Sequence, residues 1–304
     1  NAAGDIAPKY AEYYYGPQQR MLAAYTLEVK RDAGWFQLGR FTPSFQHQEQ
    51  SRHNRRFGSS NLGHNVEQVD VLGFNADLEK QLGKHELHFG ADISGENVES
   101  SAYNENITTG ARSYRTTRYP NGGSSMSSFA AYVNHSLEIS PKFIITEGLR
   151  FTHVGLSTTF NDDEDFRFLN GTYGQNNSAL TWRAGVVLMP GNDWRFSLMG
   201  SSGFRAPNVD DIGKVFDSVQ GDVIVPNPGL KPEYTTNFEA SASKTLNNRS
   251  SVELNGFYTL YTNAITVGPY TVNGQGSIDF DGVLSRVAAL QNTAKAYLYG
   301  TSAQ

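Results

Sequence analysis

Basic and imidazole side chains are concentrated in one polar stretch, residues 47–64. Its members are His47, Arg52, His53, Arg55, Arg56 and His64. A guanidinium group binds a carboxylate or phosphate through two parallel hydrogen bonds, and a neutral imidazole can ligate haem iron. The stretch therefore predicts a site for an anionic ligand or for haem, with His53, Arg55 and Arg56 as the candidate residues. A solvated polar loop would explain the same composition.

A second basic cluster, mixed with aromatic side chains, follows about fifty residues later. It contains Arg112, Tyr114, Arg115, Arg118 and Tyr119. Tyrosine and arginine are enriched where proteins contact ligands and partners, so Tyr114 and Arg115 are further candidates for ligand binding. Any long exposed loop with some structure of its own would carry the same residue types.

Other chemistry is poorly represented in the sequence. There is no phosphate loop, dinucleotide-binding fingerprint or zinc motif, and the acidic run at residues 161–165 lacks the alternating ligand spacing of a calcium loop. His153 and Ser157 have no orienting acid in the sequence pattern. Zero cysteines exclude thiolate catalysis and cysteine-ligated metals, and a net charge of −5 argues against nucleic-acid binding. We therefore predict no enzyme, no cofactor and no metal site.

The composition indicates a β-rich protein. The chain has 304 residues, of which 38% are hydrophobic, and its mean hydropathy is −0.47. Its longest apolar run, near residues 184–189, is far below the roughly 18 residues that a transmembrane helix needs. Glycine occurs 30 times, tyrosine 16 times and phenylalanine 18 times.

Short turns recur along the chain at intervals of about 50 to 58 residues. They fall at residues 32–34, 83–84, 141–142, 190–193 and 247–249. Longer polar segments separate them, at residues 48–64, 103–125, 161–177, 208–233 and 268–287. Short turns at one edge and long loops at the other are typical of a transmembrane β-barrel. The pattern predicts about eleven strands.

Apolar and polar residues alternate within the predicted strands. In one of them Leu72, Phe74 and Leu78 share a face, while Asn75 and Asp77 share the other. Either the apolar face meets lipid and the polar face a lumen, or the apolar face covers a soluble core, and alternation alone fits both. Strand segments of 12 or more residues favour the barrel over a sandwich or a propeller.

Glu147 breaks this alternation. It falls on the apolar face of a strand with Phe143, Ile145, Leu149 and Phe151. The sequence offers no explanation for a carboxylate there other than a local bulge or an error in register.

Two motifs rich in turn-forming residues bound the segment 208–233. The first is Gly203, Phe204, Arg205, Ala206, Pro207 and Asn208, and the second is Asn227, Pro228, Gly229, Leu230, Lys231, Pro232 and Glu233. Arg205 is predicted to end a strand because Pro207 removes a backbone donor, and a new strand is predicted from Tyr234.

This motif pair resembles the one found late in the barrel of TonB-dependent outer-membrane receptors. The run from Asn292 to Gly300 is similar to a later strand of such receptors. The resemblance implies an all-β fold, an antiparallel transmembrane β-barrel with short periplasmic turns and long extracellular loops. With about eleven strands, residues 1–304 would form about half of a 22-stranded barrel, and the plug domain and terminal strands would be absent from this chain.

The resemblance also implies a function. Such a receptor binds a scarce nutrient at its extracellular loops and imports it into the periplasm, powered by the TonB-ExbB-ExbD complex through the missing N-terminal part. Further expected partners are outer-membrane lipid, lipopolysaccharide and a surface lipoprotein, but not nucleic acid. The ligand stays open among siderophore-iron, cobalamin, haem, oligosaccharide and peptide. Haem is disfavoured because no histidine lies between Pro207 and Asn227.

Within the motif pair we expect a structural role rather than ligand contact. This expectation covers Phe204, Arg205, Pro207, Asn227, Pro228, Leu230, Pro232 and Glu233. Two alternative functions remain, a non-energised porin-like or structural outer-membrane barrel and a secreted soluble β-repeat protein.

Overall fold

The structure, a computed structural model, describes residues 10–31, 34–161, 170–215, 221–247, 250–280 and 282–304. Most of the acidic run considered as a calcium loop, residues 162–165, lies outside the described residues. No helix in the described chain has the length and apolar character needed to cross a membrane.

Almost all of the described chain is β-strand, with one short helix, α1 (Val209–Gly213). The strands are β1 (Tyr10–Ala24), β2 (Leu27–Lys30), β3 (Leu38–Arg56), β4 (Asn61–Leu82), β5 (His85–Asn106), β6 (Arg112–Tyr114), β7 (Ser124–Ser140), β8 (Phe143–Phe160), β9 (Gly171–Gly191), β10 (Trp194–Arg205), β11 (Asp222–Val225), β12 (Glu233–Asn247), β13 (Ser250–Pro269), β14 (Ser277–Phe280) and β15 (Val283–Ala303). Several exceed 20 residues, far longer than the five or six usual in globular proteins.

The long strands form one antiparallel sheet in chain order, β1-β3-β4-β5-β7-β8-β9-β10-β12-β13-β15. Their number, eleven, matches the sequence prediction. The short strand β2 continues the line of β1 along β3, and β11 pairs in parallel with β15. Among the described residues β1 and β15 do not pair with each other, so the sheet is open. The predicted all-β, antiparallel barrel architecture is confirmed, as an incomplete barrel.

The two edges of the sheet differ as predicted. On one edge, two residues connect β4 to β5 and two connect β7 to β8, with Gly83 at a φ of 61° in the first of these turns. The other edge carries long connections at residues 107–123, 206–232 and 270–282, which include β6, α1, β11 and β14. We refer to these as the short-turn edge and the long-loop edge.

The stretch 48–64 does not form the predicted long loop. Strand β3 continues to Arg56 and β4 begins at Asn61, so the connection is residues 57–60 only. Within this stretch His53 of β3 is the register partner of His64 of β4. The sheet continues with β1 beside β3 and with β5 beside β4. The prediction was wrong because backbone ladder bonds, rather than apolar side chains, extend these strands. Residues 171–177 likewise belong to β9.

Side-chain exposure decides which face of the sheet is which. Leu72, Leu180 and Leu198 keep 65%, 66% and 59% of their surface exposed, so the apolar face covers no protein core. The opposite face carries polar networks, such as Arg150 Nη2 at 2.7 Å from Asp92 Oδ2. An apolar outer face and a paired polar inner face are the pattern of a membrane barrel.

Glu147 does lie on the outer face, and no bulge or register error places it there. Strand β8 pairs with β7 in unbroken register at this point, with Glu147 opposite His135. His135 Nδ1 donates to Glu147 Oε1 at 2.9 Å, and His135 Nε2 lies 2.9 Å from His85 Nδ1. A polar group facing lipid is costly without a partner, and this row of three side chains provides one.

Candidate functional site

One guanidinium group joins the two sequence motifs. Arg205 ends β10 and Glu233 begins β12, and the two are direct register partners. Arg205 Nε donates to Glu233 Oε2, while Arg205 Nη1 donates to Asp211 Oδ2 at 2.6 Å. The other oxygen of Glu233 accepts from the Ile265 amide at 2.6 Å. The planar guanidinium group of Arg205 thus connects the end of β10 and the start of β12 to α1.

The helix α1 is held at its start by a reciprocal cap. Asn208 Oδ1 accepts from the Asp211 amide at 2.9 Å, and Asp211 Oδ2 accepts from the Asn208 amide at 3.0 Å. The apolar residues of α1, Val209 and Ile212, are buried. They pack in one cluster with Val98 of β5 and Leu156 of β8 on the inner face of the sheet, and with Leu230 of the second motif. The loop after β10 therefore folds against the inner face of the sheet.

The second motif is tied to three further strands. Asn227 Nδ2 donates to the Leu290 carbonyl at 2.7 Å, and Gln175 Nε2 donates to the carbonyls of Pro228 and Leu230 at 2.6 and 3.1 Å. Remaining contacts of the predicted motif residues are the Phe204–Tyr234 ring pair at 5.6 Å, the Pro232 carbonyl with Asn263 Nδ2 at 3.5 Å and the fully buried Pro207. All of these contacts are within the protein, which suits a structural role.

Near the long-loop edge, histidine and tyrosine rings form a row across the outer face. His53 stacks on Tyr14 at 4.8 Å, His64 stacks on Tyr103 at 4.7 Å, and the two Nδ1 atoms lie 2.7 Å apart. Arg112 lies over the Tyr103 ring at 4.3 Å. Burial lowers the pKa of both histidines, so at neutral pH one ring donates to the other.

The other predicted ligand residues lie near this row. Arg55 donates from Nε and Nη2 to Glu12 Oε1 at 2.8 and 2.5 Å, and from Nη1 to the Ser59 carbonyl at 3.0 Å. Arg56 pairs with Tyr10 across β1 and β3. Tyr114 lies in β6 opposite Tyr103 and is 43% exposed.

Arg115 lies on the opposite, inner face. Its guanidinium donates to three asparagine side chains, Asn65, Asn104 and Asn54, at 3.0, 3.1 and 3.1 Å. Strand alternation therefore divides the predicted ligand residues between two faces, with His53 and Arg55 outside and Arg115 inside. Sequence reasoning missed these asparagines, because they lie on three different strands, β3, β4 and β5, and meet only through strand pairing.

Glu67, on the inner face of β4, was also missed. Its side chain is buried, with 7% exposed, and neither carboxylate oxygen has a hydrogen-bond partner. Burial raises the pKa of Glu67 to about 7.

A groove of about 590 Å³ lies at the long-loop edge between β11, β13 and β15. Ile224 and Tyr270 contribute apolar surface, and Arg286 pairs with Asp222 at 2.7 and 3.0 Å. This pairing holds the pKa of Asp222 below its usual value. In the part of the chain that the structure describes, no three His, Asp or Glu side chains converge as a metal site would require.

Comparison with known proteins gives a consistent result. The model of the family described as "TonB dependent receptor-like, beta-barrel" matches residues 2–303. An iron-regulated outer membrane virulence protein of Vibrio cholerae is 23% identical over 243 residues, which are 78% of this chain and 30% of that protein.

Solved structures share the fold at low sequence identity. The Serratia marcescens hemophore receptor HasR has a TM-score of 0.70 at 14% identity, over 96% of this chain and 46% of HasR. The copper transporter OprC has a TM-score of 0.73 at 10% identity, over 95% and 44%. The ferric yersiniabactin uptake receptor FyuA of Yersinia pestis has a TM-score of 0.61 at 16% identity, over 93% and 39%. This chain spans less than half the length of each.

Proposed function

This chain belongs to the family of TonB-dependent receptors, and we propose that it is barrel sequence of an outer-membrane receptor that imports a scarce nutrient into the periplasm. The observation that carries the proposal is the family match over residues 2–303. An antiparallel sheet with an apolar outer face and a polar inner face supports it. The family comprises receptors and transporters rather than enzymes.

We propose an iron-bearing small molecule, either a ferric siderophore or haem, as the nutrient. The names of relatives support this choice, since they include an iron-regulated outer membrane protein, a ferric yersiniabactin receptor and a hemophore receptor. Cobalamin, oligosaccharide and peptide are the other outcomes of a ligand screen.

The proposed capture residues are His53, Arg55, Arg56, Tyr114 and Arg115, all near the long-loop edge. Their chemistry suits an anionic ligand, because charge-assisted hydrogen bonds from arginine are strong. Arg55 and Arg115 already donate to protein acceptors. A ligand at either residue must therefore compete with those bonds, whereas Tyr114 presents an exposed ring.

The complete receptor, in this proposal, has parts beyond the barrel strands seen here. A plug domain and further strands would complete the barrel, and a segment before the plug would contact the TonB-ExbB-ExbD complex. Outer-membrane lipid and lipopolysaccharide would meet the outer face, and a surface lipoprotein is a further candidate partner. The shares of the relatives that this chain spans, 30% to 46%, support this arrangement.

The test is uptake by cells that carry the complete gene, grown under iron limitation. A panel of ferric siderophores, haem and cobalamin would be offered to cells with and without TonB. We expect uptake of one iron-bearing compound that requires both the gene and TonB. Uptake that persists without TonB would replace this proposal with the porin-like alternative.

A further inference from the structure

A carboxylate without a partner lies under the connection between β5 and β7. Glu67 is the direct register partner of Gln50 on β3 and of Ser100 on β5, so these three side chains share the inner face. Both Glu67 oxygens lack hydrogen bonds, although a buried carboxylate normally has several. The ionised form is therefore poorly accommodated in this conformation.

The segment 115–119 is anchored to the inner face on both sides of this position. At one end Arg115 is bound to Asn65, two residues from Glu67 on the same face. At the other end the Tyr119 amide donates to Ser100 Oγ at 3.4 Å, beside Glu67 across the strand pair. Thr116, between these two anchors, is buried. Lifting this segment would expose Glu67 to water.

None of the neighbouring arginines donates to Glu67, whose two carboxylate oxygens have no hydrogen-bond partner. Arg115 donates to three asparagines, Arg118 lies 5.5 Å from the Tyr119 ring, and Arg52 of β3 lies 5.8 Å from the Tyr15 ring. Next to Glu67, β5 offers only uncharged Ser100, and its inner-face Glu96 lies four residues farther along. The nearby helix α1 contributes Asp210 and Asp211, with Lys214 bound to Asp210 at 3.1 Å.

The segment 115–119 is also hydrogen-bonded to α1 and to the residues that follow α1. Tyr119 Oη donates to Asp210 Oδ1 at 2.8 Å, and the Val215 amide donates to the Arg118 carbonyl at 2.9 Å. One of these bonds is to a residue within α1 and the other is to a residue just after it. Asp211 of the same helix binds Arg205. A movement of the segment 115–119 would therefore disturb α1 and the contacts of Arg205.

We propose that Glu67 is a proton-dependent latch, which holds the segment 115–119 against the inner wall when protonated and releases it, together with its bonds to α1, when ionised.

The direction of the pH effect follows from the burial. A carboxyl whose pKa is raised in the closed state binds a proton more tightly there than in the open state, where water solvates the charge. Closure is therefore fully favourable below the pKa of the open state and is progressively lost as the pH rises through the pKa of the closed state. For a pKa of 4.5 in the open state and about 7 in the closed state, closure weakens about 30-fold between pH 5.5 and 8.5.

The test is hydrogen exchange of the backbone amides of residues 116–119 in the complete receptor, reconstituted in lipid nanodiscs. Protection factors, corrected for the intrinsic pH dependence of exchange, should fall about 30-fold from pH 5.5 to pH 8.5. In Glu67→Gln, which is neutral at both values and close to the same size, protection should stay high throughout. The matched control is Glu99→Gln, because Glu99 of β5 lies opposite Gln68, the neighbour of Glu67, but on the outer face. It should retain the wild-type profile.

Two results would overturn the latch. One is a wild-type protection factor that does not change with pH, a measurement that needs no variant to fold. The other is a Glu67→Gln receptor whose segment still loosens at high pH, which would assign the effect to another group. Neither result depends on which nutrient is imported, so the latch can fail while the proposed function stands.

Discussion

At the scale of single residues, Arg205 has the most consequential contacts in the described chain. It is the last residue of β10, and its guanidinium reaches both Glu233, the first residue of β12, and Asp211, a member of the reciprocal cap of α1. A lysine has the same charge but cannot donate in two fixed directions. These contacts therefore depend on the planar geometry of the guanidinium group rather than on its charge.

We therefore expect Arg205→Lys to loosen α1 without unfolding the sheet. Loss of one charge-assisted hydrogen bond to a partly buried carboxylate should cost on the order of 1 to 3 kcal/mol locally. Hydrogen exchange of the amides of Val209–Gly213 would measure this loss. The control is Arg195→Lys, at a position on the same face of β10. Equal exchange in the two variants would contradict the structural role of Arg205.

The paired arginines at the end of β3 allow a test of ligand capture. With Arg55 and Arg56 both changed to alanine, we expect at least about tenfold weaker binding of an anionic ferric siderophore, because that factor corresponds to about 1.4 kcal/mol. Equilibrium binding to the purified receptor would measure it. Arg20→Ala, which removes a side chain bound to Gln46 elsewhere on β1 and β3, is the control. Unchanged affinity in the double variant would remove these two residues from the proposed site.

At the scale of elements, close approach between neighbouring strands depends on particular glycines. On the inner face of β5, a Cβ atom at Gly90 would collide with the Ala76 carbonyl and lie 2.7 Å from the Tyr132 hydroxyl. That hydroxyl donates to Asp77 across the sheet. Gly90 thus gives Tyr132 room to reach over β5 to β4.

Gly90→Ala should destabilise the sheet by about 1 to 3 kcal/mol, the usual cost of overpacking. Gly95→Ala in the same strand is the matched control, because a Cβ there would have no atom within 4 Å. The temperature at which the folded band disappears on a semi-native gel would compare them. If the Gly90→Ala protein were as heat-resistant as the Gly95→Ala protein, the strands around Gly90 could accommodate the added Cβ atom without a loss of stability, and the prediction would be wrong.

At the scale of the whole molecule, the two faces of the sheet meet different solvents. Phe74 and Asn75 are neighbours in β4, yet Phe74 belongs to the exposed apolar face and Asn75 donates to Asp92 on the polar face at 2.6 Å. A charge is tolerated beside a carboxylate in a polar lumen but not in contact with lipid tails.

Phe74→Lys should therefore lower stability in a bilayer, by an amount that increases with depth to about 2 to 4 kcal/mol at the membrane midplane. Asn75→Lys, one residue away, should be far better tolerated because its ammonium group can bind Asp92. Folding yield into phospholipid vesicles would measure both. Equal yields would contradict the assignment of the outer face to lipid and favour the soluble alternative.

The sequence by itself determined the local pattern of this protein. Period-two alternation and the turn residues at Gly83 and Pro141 specify where strands run and reverse, because pleating and turn dihedrals act over a few residues. Arg205 ended its strand as predicted, and β12 began at Glu233, one residue before the predicted Tyr234. The motif pair was sufficient to predict the family.

Only the tertiary structure decided which side chains meet. Arg115 and Asn54 are 61 residues apart in sequence, and the His135–Glu147 bond exists only because β7 and β8 pair in one register. Polar residues gave no signal that β3 and β4 continue beyond the apolar band, since the backbone bonds that extend them do not depend on residue type. Glu67 is buried in the same way, beside a distant segment of the chain, residues 115–119, that is bonded to Asn65 and Ser100.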